Sequence, residues 1–277
     1  MPTNQRKILI DVLKTVIISL ALSTLILIYN PNVITQAAAL NRPTQTSNNI
    51  LIILILTFLL LVVVTWRLKK IIIFYKYFVK LLLFLLLFNL ILLIIPPPTF
   101  SVLLLLIFIT SILFYEITKF KNINTQTIIF VVIFAVTAAI FIQPLYIIFI
   151  LIVASVYDII MVRLGWMQRM AGAVIKLKLP LLYIQGTDVN VIKKLEGKLK
   201  ADNKVSALGG GDVMLPLALI ISNYLYGYEI FSVILIILLF IGILIDFKIS
   251  KKYNKAIAAL PIITLFMIGF TVMALLW

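Results

Sequence analysis

The stretch from Pro144 to Val162 reads PLYIIFILIVASVYDIIMV, and the stretch from Gly209 to Ser222 reads GGGDVMLPLALIIS. Both are apolar segments of the kind that cross a membrane, yet each contains an acid, Asp158 in the first and Asp212 in the second. A carboxylate at the centre of a bilayer costs roughly 2.5–3.5 kcal/mol on insertion scales, so acids in such segments usually mark a function. The two aspartates are therefore a candidate functional pair.

The composition of the whole chain indicates a polytopic membrane protein. Hydrophobic residues make up 64% of the 277 residues and charged residues 12%, whereas soluble domains average roughly 45–50% apolar and 25% charged residues. Spans and short connections account for nearly the full length, which predicts a single integral membrane domain over residues 1–277. The net charge is +15, but a nucleic-acid-binding surface needs a soluble fold to carry it. We therefore expect the basic residues to be arranged relative to the lipid bilayer and expect no nucleic-acid partner.

The absence of Cys and His excludes several kinds of chemistry. Disulfides, thiol nucleophiles, Cys or His metal sites and Ser-His catalysis all require a residue that the chain lacks. Among proteases that act inside membranes, the zinc class needs an H-E-x-x-H motif and the serine class a Ser-His pair. Catalysis by aspartate side chains is compatible with the residues present, and we expect neither a metal nor an organic cofactor.

Apolar runs of about 20 residues, with a range near 17–25, are long enough to span a bilayer. The sequence predicts an all-α fold with nine such helices, at 8–29, 50–66, 71–95, 100–115, 126–142, 145–162, 208–224, 229–247 and 256–276. Tight breaks are predicted at Pro96-Pro97-Pro98 and at Gln143-Pro144, because proline cannot continue a helix. The run at 8–29 is longer than the core of a signal peptide, so we interpret it as a retained first helix.

Lysine and arginine are concentrated on one side of this predicted bundle, in every second connection, as the positive-inside rule requires of short cytosolic loops. They cluster at the N-terminus and in the second, fourth, sixth and eighth connections, and only Arg42 falls on the other side. The sequence therefore predicts a cytosolic N-terminus and an extracytosolic C-terminus.

The long connection at 163–207 has two patterns of its own. Residues 174–184 alternate apolar and basic side chains before Pro180, which predicts an extended segment. Residues 189–204 place apolar side chains on one side and lysines on the other, which predicts a solvated cytosolic loop with an interfacial basic helix. A further hypothesis is that Ile175–Leu179 pairs with a substrate strand by β-augmentation.

Predicted depth and sidedness bring the two aspartates together. The sixth span ends on the cytosolic side and the seventh begins there, so Asp158 and Asp212 lie at a similar depth. Facing carboxylates that share a proton perform aspartic proteolysis: the ionised one takes a proton from water and the neutral one hydrogen-bonds the scissile carbonyl. The sequence leaves open which of the two aspartates acts as the base. Taken singly, Asp158 is also interpretable as a snorkelling partner of Arg163, and Asp212 as the N-terminal charge of a helix.

The motifs around both aspartates resemble those of the presenilin and signal peptide peptidase family, intramembrane aspartyl proteases with nine helices. Tyr157-Asp158, with Val162 five residues after the tyrosine, is similar to the family's YDxxxV pattern. The run Gly209-Gly210-Gly211-Asp212, with Pro216 four residues after the aspartate, is similar to its GxGD motif. The resemblance implies that Asp158 and Asp212 hydrolyse peptide bonds within or near transmembrane helices of membrane proteins or signal peptides.

The family's third motif, PAL, is imperfect in this sequence. The matching stretch is Ala258-Ala259-Leu260, followed by Pro261, so alanine replaces the first proline. In the family this motif lies against the catalytic aspartates and the substrate backbone. The substrate-binding residues that the resemblance implies are Tyr157, Gly209, Gly210, Gly211, Ala258, Ala259 and Leu260.

The predicted orientation is that of presenilin-like members, and the short loops resemble those of compact archaeal homologues. This resemblance implies a multi-pass protein of the cell membrane that is active without partner subunits. Two alternatives stay open. One is a membrane aspartic peptidase of the prepilin or preflagellin type, in which Lys typically follows the GxGD motif. The other is a proton-coupled transporter that uses the two acids as a relay.

Overall fold

The structure, a computed structural model, describes residues 123–165, 182–186, 205–253 and 259–275, together with helical positions within 10–24, 80–91 and 107–117. The elements of its continuous parts are, in chain order, α1 (Ile123–Phe141), α2 (Pro144–Arg163), β1 (Leu182–Gly186), β2 (Val205–Gly209), α3 (Gly210–Leu225), α4 (Glu229–Tyr253) and α5 (Ala259–Leu275). The described chain is thus helical except for one pair of short strands.

Three of the described helices are long and apolar enough to cross a bilayer, over Asn124–Phe141, Pro144–Arg163 and Glu229–Ile249. The apolar helices Gly210–Leu225 and Ala259–Gly269 are shorter. All five labelled helices lie where the last five spans are predicted, and α4 continues beyond residue 247 to Tyr253. The span predicted at 50–66 lies outside the described residues. The nine-helix count and the sidedness of the termini stay predictions.

Proline separates α1 from α2 at the predicted break. Gln143 has extended backbone angles, φ −63° and ψ 151°, and Pro144 is the first residue of α2. Proline suits this position because a backbone N–H there would have no partner within the helix. The Gln143 carbonyl accepts hydrogen bonds from the backbone N–H groups of Tyr146 at 3.0 Å and Ile147 at 3.2 Å. The new helix therefore begins immediately after the break.

The helix α3 lies at the centre of the described bundle. It contacts α1, α2, α4 and α5, and twelve of its sixteen residues are buried. A helix that is apolar on nearly every side suits such a position. Pro216 lies inside α3 and removes one backbone hydrogen-bond donor there. Because α3 touches four other helices, its position is fixed from several directions.

Two hydroxyl groups connect α3 to its neighbours through the apolar interior. Ser222 donates a hydrogen bond to the backbone carbonyl of Ile142, just beyond α1, at 3.0 Å. Ser232 on α4 donates to the carbonyl of Ile220 on α3 at 3.1 Å. Interhelical hydrogen bonds of this kind help to hold helices together where lipid tails provide no hydrophobic drive for their association.

An antiparallel strand pair leads into α3. The register of β1 and β2 runs from Leu182 opposite Gly209 to Gly186 opposite Val205. The helix begins directly after β2, so residues 208 and 209 are strand where the sequence predicts helix. Of the extended segment predicted at 174–184, residues 182–184 are strand. The segment Ile175–Leu179 and the helix predicted within 189–204 lie outside the described part of the chain.

The helix α4 packs tightly on α5 at Gly242, which generates a prediction about stability. A Cβ atom on Gly242 would lie 3.0 Å from the Cα atom of Ile263 and 3.1 Å from its Cγ1 atom. We expect Gly242→Ala to lower the free energy of unfolding by about 1–3 kcal/mol, the usual range for an overpacked core. Thermal unfolding of the purified protein in detergent measures this change.

The matched control is Gly269→Ala on α5, where an added Cβ would meet nothing within 4 Å. Both substitutions raise helix propensity equally, so only the contact with Ile263 distinguishes them. Equal stability of the two variants would contradict the close packing of α4 on α5.

Candidate active site

Asp158 lies on the interior face of α2. The buried residues of this helix recur at the spacing of one helical face: Pro144, Ile147, Ile148, Leu151, Ser155, Asp158 and Met161. The Asp158 side chain is only 4% exposed, so it points into the bundle. Arg163 is exposed, and neither oxygen of Asp158 has a hydrogen-bond partner among the described residues. The alternative interpretation of Asp158 as a snorkelling partner of Arg163 is therefore wrong.

A buried carboxylate without a partner is unusual. Buried polar groups are nearly always hydrogen-bonded, and each exception calls for an explanation such as a catalytic role or a bound water. Replacing Asp158 with an apolar residue would remove a desolvation cost of several kcal/mol if the group served stability alone. Its burial therefore indicates a chemical use.

Asp212 occupies the first turn of α3 and is also buried. Its Oδ2 atom accepts a hydrogen bond from the backbone N–H of Gly209 at 3.2 Å. An acid in the first turn that accepts this bond caps the helix and interacts favourably with its dipole. The capping interpretation of Asp212 thus describes a real contact. The same contact also fixes the direction in which the carboxylate points.

The glycines before Asp212 have different surroundings. A Cβ atom on Gly209 would lie 2.9 Å from Oδ2 of Asp212 and 3.3 Å from its Cγ. Gly210 is buried, whereas Gly211 is exposed and an added Cβ there would meet nothing within 4 Å. Gly209 therefore leaves the room that the carboxylate needs, and Gly211 leaves open space beside it.

The packing of α2 against α3 brings the two aspartates together. Asp158 and Asp212 lie close enough for a direct Coulombic interaction between their carboxylates, and no basic side chain among the described residues pairs with either. Tyr157, next to Asp158 in sequence, is half-buried. Two like charges in apolar surroundings disfavour each other, so this arrangement suits a pair in which one carboxyl is ionised and the other neutral.

The beginning of α5 lies beside Asp158. Ala259 and Leu260 are both buried, and the backbone amide of Leu260 interacts electrostatically with the Asp158 carboxylate. The contact falls short of hydrogen-bond geometry. Pro261 lies in the first turn of α5, where proline is tolerated. Ala258 lies outside the described residues, so two of the three residues matched to the third motif have a known place.

Two further features near the pair are absent from the sequence motifs. The hydroxyl of Ser155, one turn before Asp158, is hydrogen-bonded to the backbone carbonyl of Leu151 at 2.7 Å and to the hydroxyl of Thr264 on α5 at 2.8 Å. Asp246 on α4 lies within Coulombic range of both aspartates. In the sequence, the feature that points to Asp246 is the presence of a third acid inside the predicted span 229–247. The hydroxyl pair has no comparable signal, because Ser and Thr commonly bond to the backbone of their own helix.

Comparisons with known proteins point to one family. A sequence model of the family described as "Signal-peptide peptidase, presenilin aspartyl protease" matches residues 13–277. A solved structure of a presenilin family intramembrane aspartate protease has a similar fold, with a TM-score of 0.51 and 20% sequence identity. The similarity covers 94% of this chain and 96% of that chain. No curated protein matches the sequence.

The different surroundings of the glycines predict different effects of the same substitution. We expect Gly209→Ala to lower kcat for peptide hydrolysis by about 100-fold, because the new Cβ displaces the Asp212 carboxylate and small misplacements of reacting groups cost about that much. Gly211→Ala adds the same atom in open space and should leave kcat close to that of the parent. Steady-state cleavage of a peptide substrate measures both, and equal losses would contradict the proposed fit at Gly209.

The hydrogen bond between Ser155 and Thr264 predicts energetic coupling between α2 and α5. In a double-mutant cycle of Ser155→Ala and Thr264→Val, we expect a coupling energy of about 0.6–1.7 kcal/mol, from the average to the maximum found for interhelical hydrogen bonds in membranes. Thr137 on α1 is the control, because its hydroxyl bonds only to Ile133 within its own helix. The effects of Ser155→Ala and Thr137→Val should be additive. Additivity in both cycles would show that the interhelical bond has no energetic role.

Proposed function

Because the chain belongs to the signal-peptide peptidase and presenilin aspartyl protease family, we propose that Asp158 and Asp212 are its catalytic pair. The family establishes the class of enzyme: the protein is an integral membrane aspartyl protease that acts on membrane proteins within the bilayer. The assignment of residues rests on one observation. Two buried carboxylates on neighbouring helices lie within Coulombic range of each other, without a basic partner among the described residues.

The proposed reaction adds water across one peptide bond. The ionised carboxylate accepts a proton from water as the water oxygen attacks the carbonyl carbon, while the neutral carboxyl gives its proton to the carbonyl oxygen. This step forms a neutral diol and exchanges the protonation states of the pair. As the C–N bond breaks, the newly protonated carboxyl gives its proton to the leaving nitrogen, and the other carboxylate accepts one from the diol. The pair returns to its initial state.

A substrate helix must unwind locally before this reaction, because all its backbone amides are already hydrogen-bonded in the bilayer. The strand β2 ends at Gly209, three residues before Asp212. Within the described residues β1 and β2 form a sheet of two strands, so each has an edge without a third strand. We infer that an unwound substrate segment pairs with one of these edges. That pairing leads its backbone toward the open space at Gly211.

The proposed substrates are transmembrane helices of membrane proteins or signal peptides, cleaved within or near the bilayer. The family match over residues 13–277 favours this function over the prepilin-type peptidase and the proton-coupled transporter. The distribution of Lys and Arg supports a location in the cell membrane with a cytosolic N-terminus. The short loops, similar to those of compact family members, support activity without partner subunits.

The proposal predicts that both aspartates are needed for cleavage. Asp158→Asn and Asp212→Asn, which preserve side-chain shape, should each lower kcat/KM by about 10²–10⁴-fold or more, because each removes a proton-transfer group. The assay is cleavage of a single-span peptide by the purified protein, with and without an aspartate-directed transition-state analogue. Arg163→Gln, which alters the exposed charge five residues after Asp158, should retain the parent rate.

Loss of cleavage must occur without loss of folding, so each variant is compared with the parent in thermal unfolding. Cleavage that survives either Asp→Asn substitution would contradict the catalytic pair. Loss of cleavage in Arg163→Gln would instead revive the ion-pair interpretation of Asp158.

A further inference from the structure

Asp246 is a third acid in the apolar helices that the proposed reaction does not use. It lies near the C-terminal end of α4, is half-buried, and its Oδ1 atom is buried without a hydrogen-bond partner among the described residues. An acid in an apolar segment carries an insertion cost of roughly 2.5–3.5 kcal/mol at mid-bilayer. Nothing in the fold of α4 requires an acid at this position.

Helix packing places Asp246 near the proposed catalytic pair, Asp158 and Asp212. Gly242, one turn before Asp246 on α4, packs directly on Ile263 of α5. The two helices are consecutive, in contact and joined by five residues, so they run antiparallel. One turn along α4 from Gly242 to Asp246 therefore matches one turn back along α5 from Ile263 to Leu260. The Leu260 amide is the group that lies beside Asp158, so Asp246 reaches the level of the pair.

The charges near the pair agree with this placement. Asp246 interacts electrostatically with Asp158, and Asp212 interacts with both of them. Asp158 is 4% exposed, and neither of its oxygens has a hydrogen-bond partner among the described residues. The three carboxylates thus form one electrostatic unit across α2, α3 and α4.

The helices packed around this unit carry no buried positive charge among their described side chains. The ionisable residues whose side chains are described are Tyr146, Tyr157, Asp158 and Arg163 on α2, Asp212 and Tyr224 on α3, and Glu229, Asp246 and Lys248 on α4. The helix α5 contains none, and Arg163 and Lys248 are exposed. No three acids among the described residues are arranged to hold a metal ion. The negative charge of this unit is therefore not offset by a buried cation among the described side chains.

We propose that Asp246 is a positioning residue of the protease site, whose negative charge sets the upper limit of the pH range in which the Asp158–Asp212 pair holds its shared proton. The inference rests on the proposed function. A neighbouring negative charge opposes loss of a proton from the pair, so Asp246 extends activity toward higher pH. The residue acts through the pair and does not contact the scissile bond.

The test is the pH dependence of kcat/KM, which reports the ionisations of the free enzyme. We expect Asp246→Asn to move the alkaline limb of the profile to lower pH, by a shift on the order of one pH unit for the removal of one nearby charge. Asp246→Leu removes the same charge and suits an apolar helix, so it should show the same shift even if the amide variant folds poorly. Asp246→Glu keeps the charge and should restore the parent's limb.

Glu229→Gln is the matched control, because it removes an acid from the same helix at its exposed opposite end. Its profile should coincide with that of the parent. Each profile is scaled to its own maximum, so a loss of folded protein does not move the limb. An unchanged alkaline limb in both Asp246→Asn and Asp246→Leu would overturn the inference, even if their rates were lower.

The two proposals fail in different ways. If Asp158→Asn and Asp212→Asn are inactive while the Asp246 variants keep the parent's profile, the catalytic pair stands and only the role of Asp246 is wrong. If cleavage survives Asp158→Asn or Asp212→Asn, the proposed function fails, and the role of Asp246 fails with it.

Discussion

A carboxylate buried in an apolar helix bundle, with no hydrogen-bond partner among the described residues, imposes more on this protein than any other group. Burying such a charge without compensation is strongly unfavourable, so Asp158 has to face the interior, where other helices supply its surroundings. The structure meets this requirement with α3 at the centre and Asp158 on the buried face of α2. The buried acids of the described helices are thereby grouped together, and the other buried polar side chains are uncharged hydroxyl and amide groups.

The second carboxylate depends on the point where β2 becomes α3. Gly209 belongs to the strand, its N–H caps the helix through Asp212, and its missing side chain leaves room for the same carboxylate. One residue thus serves helix stability and the orientation of the proposed catalytic group together. The capping and catalytic interpretations of Asp212 are therefore compatible, since the hydrogen bond at Oδ2 fixes the direction of the side chain.

The helix α5 completes the surroundings of Asp158 even though its motif departs from the family pattern. Pro261 follows Leu260 within the first turn, and the buried bond between Ser155 and Thr264 ties α5 to the turn of α2 that precedes Asp158. On its other side α5 packs on α4 at Gly242, which brings Asp246 to the same level. The site is therefore held by close helix packing together with a few hydroxyl contacts.

The sequence by itself determined the helical membrane class, the break at Pro144 and the two acids that matter, and the family it resembles is confirmed by the match over residues 13–277. These features follow from the cost of transferring each residue into lipid and from local backbone chemistry, both of which can be read along one chain. Tertiary structure alone decided that Asp158 does not pair with Arg163, that Ser155 hydrogen-bonds to Thr264 and that Asp246 lies near Asp158 and Asp212. Those outcomes depend on how each helix is rotated about its axis. In a helix that is apolar on every side, no polar stripe in the sequence specifies that rotation, so only packing against neighbouring helices can set it.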